Sequence, residues 1–278
     1  MIEVKNLVFG YGKKKNFHKI INNVSFTIND GEFVAIAGEN GAGKSTLSKL
    51  ISGLIKPVEG SVTINSLDTK KTKNSIIARQ IGFLFQNPDR QLCCYTVKDE
   101  IAFGLKALHY GSEKEIEERT NEIIREFNFT PHEEPFALSR GQRQRLALAS
   151  IIAVKPKIMI LDEPTTGLDY KECMEIMGEI KKLNQKGCTV IMVCHDMELV
   201  MDFADRMILL SKGEVSADGK TVEIMQNREL LEKSSLLPPQ IVGLYLELQK
   251  NHPDLFPHQT SRESLTEKAV AAIIGGKK

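Results

Sequence analysis

The sequence has almost no net charge: 37 Lys and Arg offset 36 Asp and Glu, leaving +1 over 278 residues. Without a surplus of either sign no global field draws a polyanion to the surface. Nucleic acid is therefore not expected as a partner, and a phosphate ligand must be held by local chemistry. Long hydrophobic runs are also missing. Stretches such as IMIL and VIMV fall far below the ~20 residues that a membrane-spanning helix needs. The opening MIEVKNLVFG lacks the basic-then-apolar order of a secretory signal. The five cysteines, at 93, 94, 173, 188 and 194, show no paired metal spacing, and neighbours such as Cys93 and Cys94 rarely form a disulfide; they read as reduced, mostly buried thiols of a cytosolic protein. Long coiled-coil insertions and internal duplication are absent as well. What remains, 41% hydrophobic and 26% charged, is a globular composition able to bury one large core, or one core with small satellites.

Three stretches carry chemistry. In EFVAIAGENGAGKSTLSKLISGL (32–54) an apolar run, Phe33 to Ala37, enters a glycine-rich turn, and a helical pattern follows at once. The turn fits G-x-x-x-x-G-K-[ST] through Gly38, Gly43, Lys44 and Ser45, enclosing Glu39, Asn40, Gly41 and Ala42 and running on to Thr46. Glycines let successive backbone N–H groups converge on phosphate oxygens, and the following helix adds the positive end of its dipole. Lys44 supplies charge for β- and γ-phosphates and Ser45 a hydroxyl for magnesium. In KIMILDEPTTGLD (157–169) a second apolar run ends in Asp162 and Glu163, at the edge where ligands bind open α/β sheets. Asp162 is the candidate magnesium partner and Glu163 the candidate general base for an attacking water. A third run, TVIMVCHD (189–196), brings His195 to the same edge, where it can hold the water geometry or a γ-phosphate.

LSRGQRQRLALAS (138–150) begins a helix with a hydroxyl, a guanidinium, a glycine and an amide, all donors. In their order along the chain, GENGAGKST, LSRGQ, IMILDE, TGLD and His195 resemble the motifs of ATP-binding cassette (ABC) ATPases. Gln86, in IGFLFQNPDRQL, stands at the family's Q-loop glutamine, and Tyr11 resembles the aromatic that stacks on adenine. The resemblance runs from residue 1 to about 225. It implies an α/β fold: a P-loop NTPase (RecA-like) core with an N-terminal antiparallel β subdomain, a helical signature subdomain at about 90–150, and a further helical extension over 226–278. It also implies ATP and Mg²⁺ as ligands, with Gln86 joining Ser45 and Asp162 around the metal. A second ABC ATPase becomes a partner, because Ser139, Gly141 and Gln142 then serve a nucleotide held by the other subunit, with Asp169 at the D-loop. The family more often has LSGGQ, so Arg140 places a bulky cation beside the γ-phosphate or turns it to solvent.

The segment NPDRQLCCYTVKDEIAFGL after Gln86 resembles the A-components of energy-coupling factor (ECF) transporters and related cobalt and nickel ATPases. That likeness implies an integral membrane coupling protein and a substrate-binding membrane subunit as partners. It further implies a peripheral place on the cytoplasmic face of the membrane, and a vitamin or metal ion as the class of solute. A dedicated homodimeric importer and a soluble scaffold ATPase remain alternatives. Helical spacing puts Ile116, Thr120, Ile123, Ile124 and Phe127 on one stripe behind a Ser112/Glu115 capping box. Beyond 226, Ile241, Leu244, Tyr245 and Leu248 form one expected face, and Leu265, Ala269, Ala272 and Ile273 another. These faces serve either dimerisation or the chain's own core.

Overall fold

The computed structural model describes residues 1–12, 16–252, 254, 256–259 and 261–275, with side chains to residue 271. The chain opens with strands β1 (Ile2–Tyr11) and β2 (His18–Ile28), followed by β3 (Phe33–Ala37) and helix α1 (Lys44–Ile51). Strands β4 (Glu59–Ile64) and β5 (Leu67–Asp68) return beside β1, giving an antiparallel sheet in the order β2-β1-β4-β5. After a single turn α2 (Asn74–Ile77) come β6 (Ile81–Leu84) and three helices, α3 (Val97–Ala107), α4 (Glu113–Glu126) and α5 (Arg140–Ala153). Then β7 (Ile158–Asp162), α6 (Tyr170–Gln185), β8 (Thr189–Val193), α7 (Met197–Phe203), β9 (Arg206–Ser211) and β10 (Glu214–Lys220) complete a second sheet. The tail carries α8 (Thr221–Met225), α9 (Arg228–Lys233), α10 (Gln240–Asn251) and α11 (Arg262–Gly275).

The second sheet runs β10-β9-β3-β8-β7-β6, with β10 antiparallel and the other five parallel. Strands β3, β7 and β8 are buried at every residue, which is why they read as continuous apolar runs. Alternation then divides them between two cores. Phe33, Ala35, Met159, Leu161, Val190 and Met192 face the helices. Val34, Ile36, Ile158, Ile160, Ile191 and Val193 face α1 and the antiparallel sheet. Parallel order also sends the ends of β3, β6, β7 and β8 to one edge, where Gly38, Gln86, Asp162–Glu163 and His195 follow.

The helical stripe behaves as the spacing predicts: Ile116, Thr120, Ile123, Ile124 and Phe127 are all buried. The Ser112/Glu115 capping box is present, with Glu115 Oε2 accepting from Ser112 N at 2.7 Å. The tail differs in detail. The face of α10 centres on Val242, Tyr245 and Leu246, while Ile241, Leu244 and Leu248 are half-buried. Tyr245 lies on both faces and is anchored by polar contacts. Its hydroxyl donates to Pro257 O at 2.5 Å and accepts from Gln259 Nε2 at 2.8 Å, and the Phe256 ring stands edge-on at 5.7 Å. Leu265 and Ala269 of α11 are fully buried; the side chains of Ala272 and Ile273 lie outside the described ones.

Val242, Tyr245, Leu265 and Ala269 belong to the same continuous core as the helix-side residues of β3, β7 and β8. Gln226 and Gln259 lock the junction by exchanging two hydrogen bonds of 2.7 and 3.0 Å. One core implies one cooperative unit. Leu265→Ala should cost about 2–5 kcal/mol through lost burial and the cavity left behind, and calorimetry should show a single transition at lower temperature. A separate early transition would mean that the extension folds apart from the rest.

Candidate functional site

The turn after β3 is shaped by backbone conformations that side chains resist. Gly38, Gly41 and Gly43 have φ of 149°, 84° and 102°. A Cβ on Gly38 would stand 2.0 Å from Leu210 O of β9, so only glycine lets the loop lie against the sheet. Helix α1 then begins with no side-chain cap and no acid in its first turn. Its first N–H donors therefore remain available to an anion. Ala42 is buried under the loop, while Asn40 and Gly41 are exposed on its outer side and Glu39 and Thr46 are half-buried.

Lys44 is 6% exposed, and its Nζ donates to Gly38 O at 2.7 Å and Glu39 O at 2.9 Å, so the ammonium is held inside its own loop. Burial lowers its pKa, and the nearby carboxylates of Glu163 and Asp162 oppose that shift. Ser45 Oγ donates to Asp162 Oδ1 at 2.9 Å. Burial in turn raises the pKa of Asp162, opposed chiefly by that hydroxyl. A desolvated cation and a desolvated carboxylate thus share one cleft. This donor set suits phosphate oxygens at Lys44 and a hard divalent cation between Ser45 and Asp162.

Glu163 sits one residue beyond β7 with φ of 49°, anchored by its N–H to Val193 O at 2.9 Å. That left-handed turn aims the carboxylate across the sheet edge. Oε2 accepts from Gln86 Nε2 at 2.6 Å and from Thr166 Oγ1 at 3.1 Å. Oε1 lies 3.3 Å from His195 Nδ1. Lys44, Ser45, Gln86, Asp162, Glu163 and His195 are thus brought together, although Gln86 and Glu163 lie 77 residues apart. Thr166 was not anticipated, and it falls within the TTGLD stretch. Gln91, from the NPDRQ stretch, was also missed: its Oε1 accepts from Phe85 N and its Nε2 donates to Ala147 O, both at 3.2 Å, fixing the loop after Gln86 to α5.

Ser139, Gly141 and Gln142 lie elsewhere. Ser139 caps α5, its Oγ accepting from Gln142 N at 3.2 Å, while Gln142 Oε1 accepts from Ser139 N at 2.8 Å. Among the described residues no hydrogen bond joins them to the Lys44 loop. The Arg–Gly pair has reasons inside the chain. A Cβ on Gly141 would stand 2.0 Å from Glu172 Oε1, so a side chain there would require the Glu172 carboxylate to move aside. Arg140 is exposed, and its Nη2 donates to Thr166 O at 3.1 Å, beside Gly167. Asp169 caps α6 by accepting from Glu172 N at 2.8 Å.

Tyr11 is half exposed at the end of β1, edge-on to Phe9 with ring centres 5.0 Å apart. On the other side, a cleft of about 440 Å³ separates Gly38–Asn40 and His195 from the Leu236–Gln240 segment. The extension therefore borders the site. A further cavity of about 820 Å³, around Lys155, Lys157 and Thr189, lies at the opposite edge of the sheet and contains none of these residues. No helix among the described residues is long and apolar enough to cross a membrane.

Known proteins share this sequence pattern and fold. The family model described as "ABC transporter" matches residues 21–166. The chain is 38% identical over 278 residues to the energy-coupling factor transporter ATP-binding protein EcfA2 of Clostridium perfringens, covering 96% of this chain and 97% of that one. It is 41% identical over 252 residues to an ABC transporter ATP-binding protein of Caldanaerobacter subterraneus subsp. tengcongensis, covering 90% of this chain but 44% of the relative. Against several such relatives the chain spans less than half of their length. Among solved structures, the ABC cassette MJ0796, a dimer bound to ADP and Pi, aligns with a TM-score of 0.73 and 34% identity over 80% of this chain and 99% of that one. The cbiO1 protein of Clostridium perfringens, part of the cbiONQ transporter complex, aligns with a TM-score of 0.72 and 26% identity over 91% and 96%. A matching family model across just over half of the residues, joined to a relative of nearly equal length at 38% identity, places this chain in the ABC transporter family of ATP-binding proteins.

Proposed function

We propose that the chain is an ATP-hydrolysing subunit that energises uptake of a small solute, of the vitamin or metal-ion class, through an ECF-type membrane transporter. The observation that carries the catalytic part is Glu163, ringed by Gln86, Thr166 and His195 beside the Lys44–Ser45–Asp162 cluster. The ECF part rests on EcfA2 relatives matched across 97% and 99% of their lengths, together with the stretch after Gln86.

In this reading Lys44 and the uncapped start of α1 bind the phosphates, and Tyr11 stacks on the base. Ser45 Oγ and Asp162 Oδ1 would hold Mg²⁺, with Gln86 beside them; bound there, the cation offsets charge between β- and γ-phosphates. Glu163 accepts a proton from water, and His195 and Gln86 orient it. Gln86 and Thr166 both donate to Oε2 and so fix the position of the carboxylate. A second cassette supplies Ser139, Gly141 and Gln142 to the nucleotide, with the helix dipole and hydroxyl meeting the γ-phosphate. Asp169, at the start of α6, is the D-loop member of that interface. Residues 1–225 form the ATPase domain, and 226–278 an extension that buries one side in the core it shares with that domain and offers the rest to the partner ATPase. The complex sits at the cytoplasmic face of the membrane.

Capture of the tagged chain from detergent-solubilised membranes tests this. A second cassette ATPase, a common transmembrane protein and several small membrane proteins should co-purify. One dedicated permease with this chain alone would replace the ECF reading with a homodimeric importer. Recovery without any membrane protein would end the transport reading.

A further inference from the structure

Cys93 and Cys94 showed no metal spacing with any other cysteine, but the fold supplies a third donor from the first turn of α3. The Sγ atoms of Cys93 and Cys94 and a carboxylate oxygen of Glu100 all lie within 4.8 Å of one another. Glu100 is unusual for its type, because it is 4% exposed. Its Oε2 accepts from the backbone N–H groups of Cys93 and Cys94 at 2.9 and 2.8 Å. Among the described residues no lysine, arginine or histidine pairs with it. A buried carboxylate without a cation, beside two thiols, is a site whose missing member is positive.

We propose that Cys93, Cys94 and Glu100 bind a thiophilic divalent cation of the zinc class, which clasps the segment after Gln86 to the start of α3. The dimensions fit. Tetrahedral zinc holds thiolates at about 2.3 Å and carboxylate oxygen at about 2.0–2.2 Å, so its sulfurs stand about 3.8 Å apart. Closing the cluster from within 4.8 Å takes a shift of about 1 Å, within reach of the exposed Cys93. Three protein donors leave one position for water. Two sulfurs select zinc, cadmium or copper(I) over magnesium, which keeps this site distinct from the all-oxygen pair Ser45–Asp162.

Each thiol that joins the metal releases one proton to solvent, so binding forms two metal–sulfur bonds, frees two protons and transfers no electrons. Burial, together with the adjacent Glu100, pushes the Cys94 thiol up to about 12, so at neutral pH the cation itself must displace that proton. Because protons leave as the cation binds, binding should strengthen as pH rises. The site does not depend on the transport reading, since neither ATP nor a membrane partner takes part in it.

The test is titration of the reduced, nucleotide-free full-length chain with cadmium chloride, following the ultraviolet sulfur-to-cadmium charge-transfer band. One saturable equivalent, release of two protons, and competition by Zn²⁺ but not Mg²⁺ are expected. The Cys93→Ser/Cys94→Ser double variant, with unchanged circular dichroism and melting temperature, should lose the band. Glu100→Gln keeps a carbonyl for the two N–H groups and should bind more weakly. Absence of a saturable band, or an equal band in the double variant arising from Cys173, Cys188 or Cys194, overturns the proposal.

Discussion

Glu163→Gln should lower the maximal rate of ATP hydrolysis by roughly 10²-fold or more, several kcal/mol of transition-state stabilisation, while leaving nucleotide affinity intact. The amide keeps the size of the carboxylate and can still meet Thr166 Oγ1, now 3.1 Å from Oε2. It cannot accept a proton from water. ATP should therefore persist at the site and hold two chains together. Size-exclusion chromatography with ATP and Mg²⁺ would show a stable dimer for the variant and a transient one for the wild type. The 2.6 Å contact from Gln86 would be retained by an amide oxygen, so the loop should not move in the free protein. Unchanged turnover would remove Glu163 as the base and shift attention to His195, whose Nδ1 is 3.3 Å away.

The second large effect is expected at Lys44. In Lys44→Ala the phosphates lose their one buried cation, and binding itself should fail rather than catalysis alone. Ligand linkage gives the readout: a site at 100 times its dissociation constant stabilises the fold by about 2.7 kcal/mol. Thermal melting of the wild type should rise on adding ATP and Mg²⁺, and that rise should vanish in the variant. The melting of the free variant separates this from misfolding. Lys44 is costly to bury, since desolvation lowers its pKa, but it also satisfies Gly38 O and Glu39 O. Removing it should therefore change the free protein's stability far less than its response to nucleotide. An ATP-dependent shift equal to that of the wild type would sink the phosphate-cradle reading.

Much of the architecture was legible because its causes are local. The runs that become β3, β7 and β8 are apolar at consecutive positions, which only strands buried on both faces require. The α4 stripe and its capping box were readable for a similar reason, since helical period and cap chemistry involve residues three or four apart. Gly38, Gly43, Lys44 and Ser45 declared a phosphate loop through contacts within eight residues. The face of α10 was misplaced by one position, and the partners of Tyr245, Pro257 O and Gln259 Nε2, come from a later loop that helical spacing does not reveal.

The sequence by itself determined which groups are present and at which strand ends: a phosphate loop, two carboxylates, a glutamine, a histidine and a donor-rich helix start. Only the tertiary structure decided which of them meet. Parallel pairing of β6 with β7 and of β7 with β8 sets Gln86 and His195 on either side of Glu163. The packing of α5 beside α6 brings Arg140 to Thr166 O and sets Gly141 against the Glu172 carboxylate. The turn from Cys93 to Glu100 joins two thiols to a buried carboxylate that no spacing rule pairs with them. The first two depend on the register of distant elements, which a pattern of neighbours along the chain does not encode; the third depends on the turn that leads into α3.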